Sequence, residues 1–214
     1  MELYVILDYI RLGSEALAAL VGLIYLPRLK NSYWKWFAVY LILIFIQEMF
    51  WFNRNSFQGL TDNDFFAFFG IPVQMLFFYW LYALKSLKNK RLFFICCLLY
   101  LITLPLELYF EKTDQLYSVN VQIGVLILTF LIVKEFIKQI KTDAILKFKT
   151  NKMFYVNTGV VLFYLGTYPF HALYEPMRKG HKELLYGYYL FFLISCTLMY
   201  LLFAASFIWG KKES

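Results

Sequence analysis

Charged residues are scarce in this 214-residue chain: Asp, Glu, Lys and Arg make up 16% of it, whereas hydrophobic residues make up 61%. A soluble domain has about a quarter charged residues and about half apolar ones. The shortage of charge therefore argues against a water-soluble domain. The apolar residues are concentrated in repeated runs of about 17 to 25 residues, which is the length that crosses a bilayer as a helix.

The residues of several familiar catalytic and cofactor sites are also missing. Two histidines and three cysteines are present, and the cysteines form neither a CxxC pair nor a metal-ligand spacing, so we expect no zinc centre and no thiol–disulfide chemistry. A Gly-x-Ser-x-Gly elbow and glycine-rich nucleotide motifs are absent. The last apolar run contains no lysine that could form a retinal Schiff base. We therefore predict no cofactor and favour a non-enzyme, while a hydrolase that uses only carboxylates stays open.

Seven apolar runs divide the chain, and each is expected to be helical because a backbone in lipid must satisfy its own hydrogen bonds. Most of the 21 basic residues fall in connections 27–35, 85–91 and 134–152 and after residue 210, and such enrichment is typical of the cytoplasmic side. The prediction is an all-α polytopic membrane protein of the inner (plasma) membrane. It is a seven-transmembrane-helix bundle forming one domain over residues 1–214, with the N-terminus out and the C-terminus in. The predicted helices cover residues 3–26, 34–52, 65–84, 92–110, 117–133, 153–174 and 184–209.

Polar residues inside the first run point to a candidate site. Asp8, Arg11 and Glu15 lie three and four residues apart, so a helix places them on one stripe. At 1.5 Å per residue, Arg11 and Glu15 lie about 10 Å and 16 Å from the outer end of the helix. Ionisable groups at such depths face protein or water and not lipid, and they often mark functional sites.

Other polar residues fall in the same outer half of the predicted bundle. They include Glu48 in the second run, Gln74 in the third and His171 in the sixth. Three prolines also interrupt runs towards their outer portions, where they kink helices and free backbone carbonyls: Pro72, Pro105 and Pro169. We predict a polar cavity open to the extracytoplasmic side. Its predicted ligand-binding residues are Arg11, Glu15, Glu48, Gln74 and His171, and structural ion pairing of Arg11 is the alternative.

Two stretches of sequence carry a resemblance to a known group of proteins. They are Tyr33–Leu41 (YWKWFAVYL), which runs into Phe45–Glu48 (FIQE), and Asn157–Gly166 (NTGVVLFYLG). The chain resembles small, uncharacterised seven-helix bacterial inner-membrane proteins over nearly its whole length. The resemblance implies the seven-helix fold and a membrane location, and it implies no activity.

Four functions are compatible with these observations. The leading hypothesis is a binding or sensing module that holds a small extracytoplasmic ligand and passes a helix shift to a cytoplasmic protein partner. The second is a small-solute or proton-coupled transporter, which predicts that polar residues continue into the inner half. A lipid-active membrane enzyme is third, and an assembly subunit or homo-oligomer that packs through Ala18 and Gly22 stays open. The lipid bilayer is an expected partner and nucleic acid is not, because the net charge of +7 is concentrated in the inner connections.

Overall fold

A computed structural model describes residues 2–52, 69–109, 119–168 and 179–210. Within these ranges every regular element is helical and none is a strand, which confirms the all-α prediction. The α-helices are α1 (Glu2–Tyr25), α2 (Trp34–Phe52), α3 (Ile71–Tyr79), α4 (Lys90–Leu101), α5 (Thr103–Tyr109), α6 (Val119–Lys141), α7 (Lys152–Val160) and α8 (Lys182–Trp209). Helix α3 continues as a π-helix over Trp80–Ser86 and α7 as a π-helix over Val161–Leu165, while Leu26–Leu29 and Ala144–Thr150 are 3-10 helices.

Three helical stretches of the described residues are long and apolar enough to cross a membrane: Leu3–Leu29, Val119–Lys141 and Glu183–Trp209. Much of their apolar surface is exposed, as on the α1 face that carries Ile6, Ile10 and Leu17. Large contiguous apolar surfaces are unfavourable in water and are natural in lipid. The chain is therefore a helical protein suited to association with a membrane.

Two of the predicted helices differ from the observed ones for identifiable reasons. The predicted fifth helix ends at residue 133, whereas α6 continues to Lys141 because Glu135 and Gln139 are buried along it. The predicted fourth helix is interrupted at Ile102, between α4 and α5. Pro105 has no backbone N–H, so the carbonyl four residues before it loses its helical partner. Residues 65–68 and 169–174, at the ends of the predicted third and sixth helices, lie outside the described residues.

The chain divides into two compact units. The first comprises Met1–Asn55, Thr142–Thr167 and Pro176–Ser214, and the second comprises Ser56–Lys141 and Tyr168–Glu175. Helices α1, α2, α7 and α8 belong to the first unit, and α3 to α6 belong to the second.

In the first unit, α1 and α8 run parallel and remain in contact along their lengths. The ring centres of Tyr4 and Tyr186 are 6.0 Å apart near the two helix starts, and those of Tyr25 and Phe207 are 6.4 Å apart near the two ends. Helix α2 runs back along α1, and a Cβ added at Gly22 would lie 3.4 Å from the backbone of Ala38. Gly22 thus packs against α2 of the same chain, whereas the sequence analysis offered Ala18 and Gly22 as a contact for an assembly partner.

Helix α7 is antiparallel to α8. A Cβ at Gly159 would lie 3.3 Å from the Cα of Met199, and one at Gly166 would lie 3.0 Å from the ring of Phe191. Residue 159 thus faces the middle of α8 and residue 166 faces its first half. The alternation of direction matters for the site, because α1 and α8 start at the end of the unit where α2 and α7 finish.

In the second unit, α3 with its π-helical extension runs parallel to α6. Tyr79 donates a hydrogen bond of 2.8 Å to the carbonyl of Gly124 on α6. A short turn capped by Asn89, whose side chain accepts the N–H of Leu92 at 2.9 Å, reverses the chain into α4. Tyr100 of α4 then donates to the Oδ1 atom of Asn120 at 2.9 Å.

Candidate functional site

The polar stripe of α1 is held together by Arg11. Its Nε atom donates to Oδ1 of Asp8 at 2.8 Å, and its Nη1 atom lies 3.6 Å from Oε2 of Glu15. The helical spacing of three and four residues therefore places these side chains on one face, as the sequence indicates. The tight contact is the local one to Asp8, and the contact to Glu15 is looser.

Glu48 of α2 joins this stripe from the neighbouring helix. Its Oε1 atom lies 3.8 Å from Nη1 of Arg11. The contact is possible because α2 is antiparallel to α1, so Glu48, near the end of α2, lies beside the first half of α1. The four side chains differ in exposure: 42% for Asp8, 26% for Glu48, 17% for Arg11 and 1% for Glu15. The cluster is thus accessible at Asp8 and Glu48 and closed at Glu15.

Helix α8 closes the buried end of this cluster. The hydroxyl of Tyr200 donates to Oε1 of Glu15 at 3.3 Å. Cys196, one turn earlier on α8, and Tyr40 of α2 are buried. Sequence reasoning missed Tyr200, because the chain has 18 tyrosines and only the register of α8 against α1 distinguishes this one.

We call Asp8, Arg11, Glu15, Glu48 and Tyr200 the α1 cluster. Its three carboxylates and single guanidinium leave a formal excess of two negative charges when all four groups are ionised. The Oε2 atom of Glu15 is buried and has no hydrogen-bond partner among the described residues. An environment of this kind attracts a positively charged group, because unbalanced negative charge is costly away from water. No set of three or more His, Cys, Asp or Glu residues in the described part of the chain is arranged to hold a metal ion.

The other two predicted site residues are placed differently. Gln74 lies on α3 and belongs to the second unit. His171 lies outside the described residues. The structure therefore brings together three of the five predicted ligand-binding residues, Arg11, Glu15 and Glu48, within a single unit.

A second buried polar group, in the second unit, was not predicted as a site. Ser86, the last residue of the π-helix, donates to Oε2 of Glu135 at 2.6 Å, and Gln139 donates to Oε1 of the same carboxylate at 3.1 Å. Lys138 donates to the Ser86 hydroxyl at 2.8 Å and to its carbonyl at 3.0 Å. The sequence interpretation placed these α6 residues in a basic connection. Lys138 and Gln139 follow Glu135 by three and four residues, and this spacing could have indicated that the three side chains share one helical face.

The Ser86–Glu135 group joins two helices, and its carboxylate accepts hydrogen bonds from Ser86 and Gln139 and forms an ion pair of 3.5 Å with Lys138. Buried charges in proteins are normally paired and hydrogen-bonded in this way. It therefore has the character of a structural clamp, whereas the α1 cluster combines loose contacts, an excess of charge and partial exposure.

No protein family, curated protein or solved structure matches this chain in the comparisons. Function is therefore inferred from the α1 cluster and its surroundings.

Proposed function

We propose that this chain is a seven-helix protein of the bacterial plasma membrane that binds a small cationic ligand from the extracytoplasmic side. The direction of the helices in the first unit supports the topology. Helix α2 ends where α1 begins, and α7 begins at the opposite end of the unit. The intervening residues 53–151 must then cross the membrane an odd number of times. Among the described residues of this interval, the long helical stretches are 69–86, 90–109 with its turn at Ile102, and 119–141, and a short 3-10 helix covers Ala144–Thr150.

The distribution of lysine and arginine supports the orientation. The connections at the end of α1, before α4 and after α6 are rich in basic residues, and such connections lie on the cytoplasmic side. Helix α1 then starts outside and α8 ends inside. In this orientation Asp8 and Glu48, the exposed members of the α1 cluster, lie towards the extracytoplasmic surface.

The observation that carries the binding role is that Arg11 makes loose contacts, one to Glu15 within α1 and one to Glu48 on α2. Its distances of 3.6 Å to Glu15 and 3.8 Å to Glu48 exceed the 2.7–2.9 Å of a strong charge-assisted hydrogen bond. A ligand can exchange for such contacts at small cost. Since carboxylates outnumber the guanidinium, the ligand class that fits best carries a positive charge. An organic ammonium group suits the site, because it binds to carboxylates without the fixed coordination that a metal ion requires.

The pairing of α1 with α8 provides a means of passing the binding event across the membrane. Both helices contribute to the α1 cluster, and they remain packed as far as Tyr25 and Phe207 near their inner ends. A ligand that draws Glu48 towards Glu15 changes how α1 packs against α8 near the α1 cluster. Packed helices transmit small shifts along their length because well-packed interfaces do not deform continuously. We propose that a cytoplasmic protein responds to this shift.

The binding role is tested by measuring thermal unfolding of the full chain in nanodiscs. The probes are tetramethylammonium and putrescine, with sodium at matched ionic strength as the reference. A ligand at one hundred times its Kd stabilises the folded state by about 2.7 kcal/mol, which raises Tm by several degrees. We expect an ammonium probe to raise Tm of the wild type and to have little effect on Glu48→Gln.

The matched control is Glu183→Gln, because Glu183 is an exposed acid in the first turn of α8 and its replacement changes the charge equally. This variant should respond to the probes as the wild type does. Equal responses of wild type and Glu48→Gln, or no response of the wild type to either ammonium probe, would contradict the proposed site.

A further inference from the structure

The inner half of the first unit contains a buried amide that the α1 cluster does not use. Asn157 of α7 is completely buried, and neither its Oδ1 nor its Nδ2 atom has a hydrogen-bond partner among the described residues. A side-chain amide has two donor and two acceptor positions. Buried polar side chains are almost always hydrogen-bonded, to protein or to ordered water. The amide of Asn157 therefore has hydrogen-bonding capacity that the described residues leave unused.

The level of Asn157 along the bundle is close to that of the α1 cluster. Gly159, two residues further along α7, approaches Met199 and Phe203 on either side of Tyr200. Two residues correspond to about 3 Å along a helix. Asn157 thus lies within about one helical turn of the level at which Tyr200 donates to Glu15. It lies on the inner side of that level, because α7 starts at the inner end.

Polar groups continue beyond Asn157 to the inner end of the unit. Lys152, at the start of α7, is buried, and its Nζ atom lies 5.8 Å from the ring centre of Trp34 and 5.9 Å from that of Phe207. The indole Nε1 of Trp34 is also buried and has no hydrogen-bond partner within the described ranges. Polar side chains are therefore present from Asp8, near one end of the first unit, to Lys152, near the other.

We propose that Asn157 binds internal water that joins the α1 cluster to the Lys152 end, so that the first unit conducts protons. Water is the smallest group that supplies both donors and acceptors to an amide, and internal water commonly bridges buried polar groups. A proton that arrives at Glu15 moves to water, and each water molecule accepts one proton and releases another. The chain is unchanged after each transfer, and the proton leaves near Lys152. This activity goes beyond the proposed ligand binding and does not depend on it.

Proton conduction is measured on full-length protein in liposomes that contain a pH-sensitive dye. A pH gradient is imposed while valinomycin and potassium compensate the charge, and the initial rate of internal pH change is recorded. Wild-type liposomes should exceed protein-free liposomes. Asn157→Leu, which replaces the amide with an apolar side chain of similar size, should lower the rate about tenfold, as expected when a favourable polar contact of about the strength of one hydrogen bond is lost.

The matched control is Thr158→Val at the neighbouring position. The Thr158 hydroxyl donates at 2.9 Å to the carbonyl of Phe154 in its own helix, so its removal should leave the rate unchanged. Asn157→Val serves if the leucine variant does not fold. A wild type that does not exceed protein-free liposomes, or a folded apolar variant of Asn157 that conducts at the wild-type rate, overturns the proposal. The ligand experiment measures binding and this experiment measures proton conduction, so either proposal can be contradicted without the other.

Discussion

Replacing Arg11 with methionine tests whether the α1 cluster is a coupled set of charges. The substitution retains an unbranched side chain and removes the cation that forms ion pairs with Glu15, Glu48 and Asp8 in the described part of the chain. Removing one partner of a buried ion pair costs about 3–5 kcal/mol, because the remaining charge is left uncompensated. Arg11 is 17% exposed and Glu15 is 1% exposed, so we expect a loss near the lower end, about 3 kcal/mol.

The double variant Arg11→Met/Glu15→Met separates coupling from packing. With both partners apolar, no unpaired charge remains at the buried position, and such replacements are often neutral. We therefore expect the double variant to recover most of the loss of Arg11→Met. Asp8→Asn is the surface control, and it should cost at most about 1 kcal/mol because the Asp8 side chain is 42% exposed.

The assay is the free energy of unfolding, measured by denaturant titration in mixed micelles for the wild type, Arg11→Met, Glu15→Met and the double variant, with Asp8→Asn as the control. Coupled residues give a double-mutant energy that departs from the sum of the singles by about 0.5–3 kcal/mol. Additive energies, or a loss below about 1 kcal/mol for Arg11→Met, would refute the reasoning, because Arg11 would then not compensate Glu15.

Two further predictions concern packing and the second unit. Gly124→Ala should destabilise the protein by about 1–3 kcal/mol, because the added Cβ would lie 2.9 Å from the Tyr100 ring. Gly13→Ala should stabilise it by up to about 1 kcal/mol, because nothing lies within 4 Å of the added Cβ and alanine favours helix. The same denaturant titration measures the free energy of unfolding of both variants. Similar effects at both positions would contradict the observed packing. Ser86→Ala should cost about 1.5–3 kcal/mol, because its hydroxyl bonds to two charged groups. The control Ser206→Ala, whose hydroxyl donates within its own helix, should cost less, and the opposite order would contradict the clamp.

The sequence predicted well those features that depend on one helix. The limits of α2 agree with the predicted run 34–52, because an apolar segment with polar flanks specifies its own ends. The stripe of α1 follows from the spacing of its three charged residues and needs no knowledge of neighbours. An all-helical fold follows from the length and number of the apolar runs.

Features that depend on register between helices could not be read from the sequence. Glu48 contacts Arg11 because α2 returns along α1 at a particular depth, and Tyr200 reaches Glu15 because α8 is parallel to α1. The burial of Glu135 had a local signal in its spacing from Lys138 and Gln139. The abundance of lysine nevertheless favoured a solvated connection, because long basic side chains are usually exposed. The partner that buries Glu135, Ser86, lies 49 residues away in the chain.

The two proposals for the first unit depend on different consequences of one arrangement. Parallel packing of α1 on α8 places Glu15 beside Tyr200 at the inner end of the charged cluster. Antiparallel packing of α7 on α8 places Asn157 just beyond the level of Tyr200. Glu15 is therefore the residue at which ligand binding from outside and proton transfer towards the inside would meet. A cationic ligand held by Glu48 and Glu15 occupies the carboxylate oxygens that a transferred proton also needs. The ligand and the proton therefore compete at Glu15, and an ammonium probe should slow proton conduction.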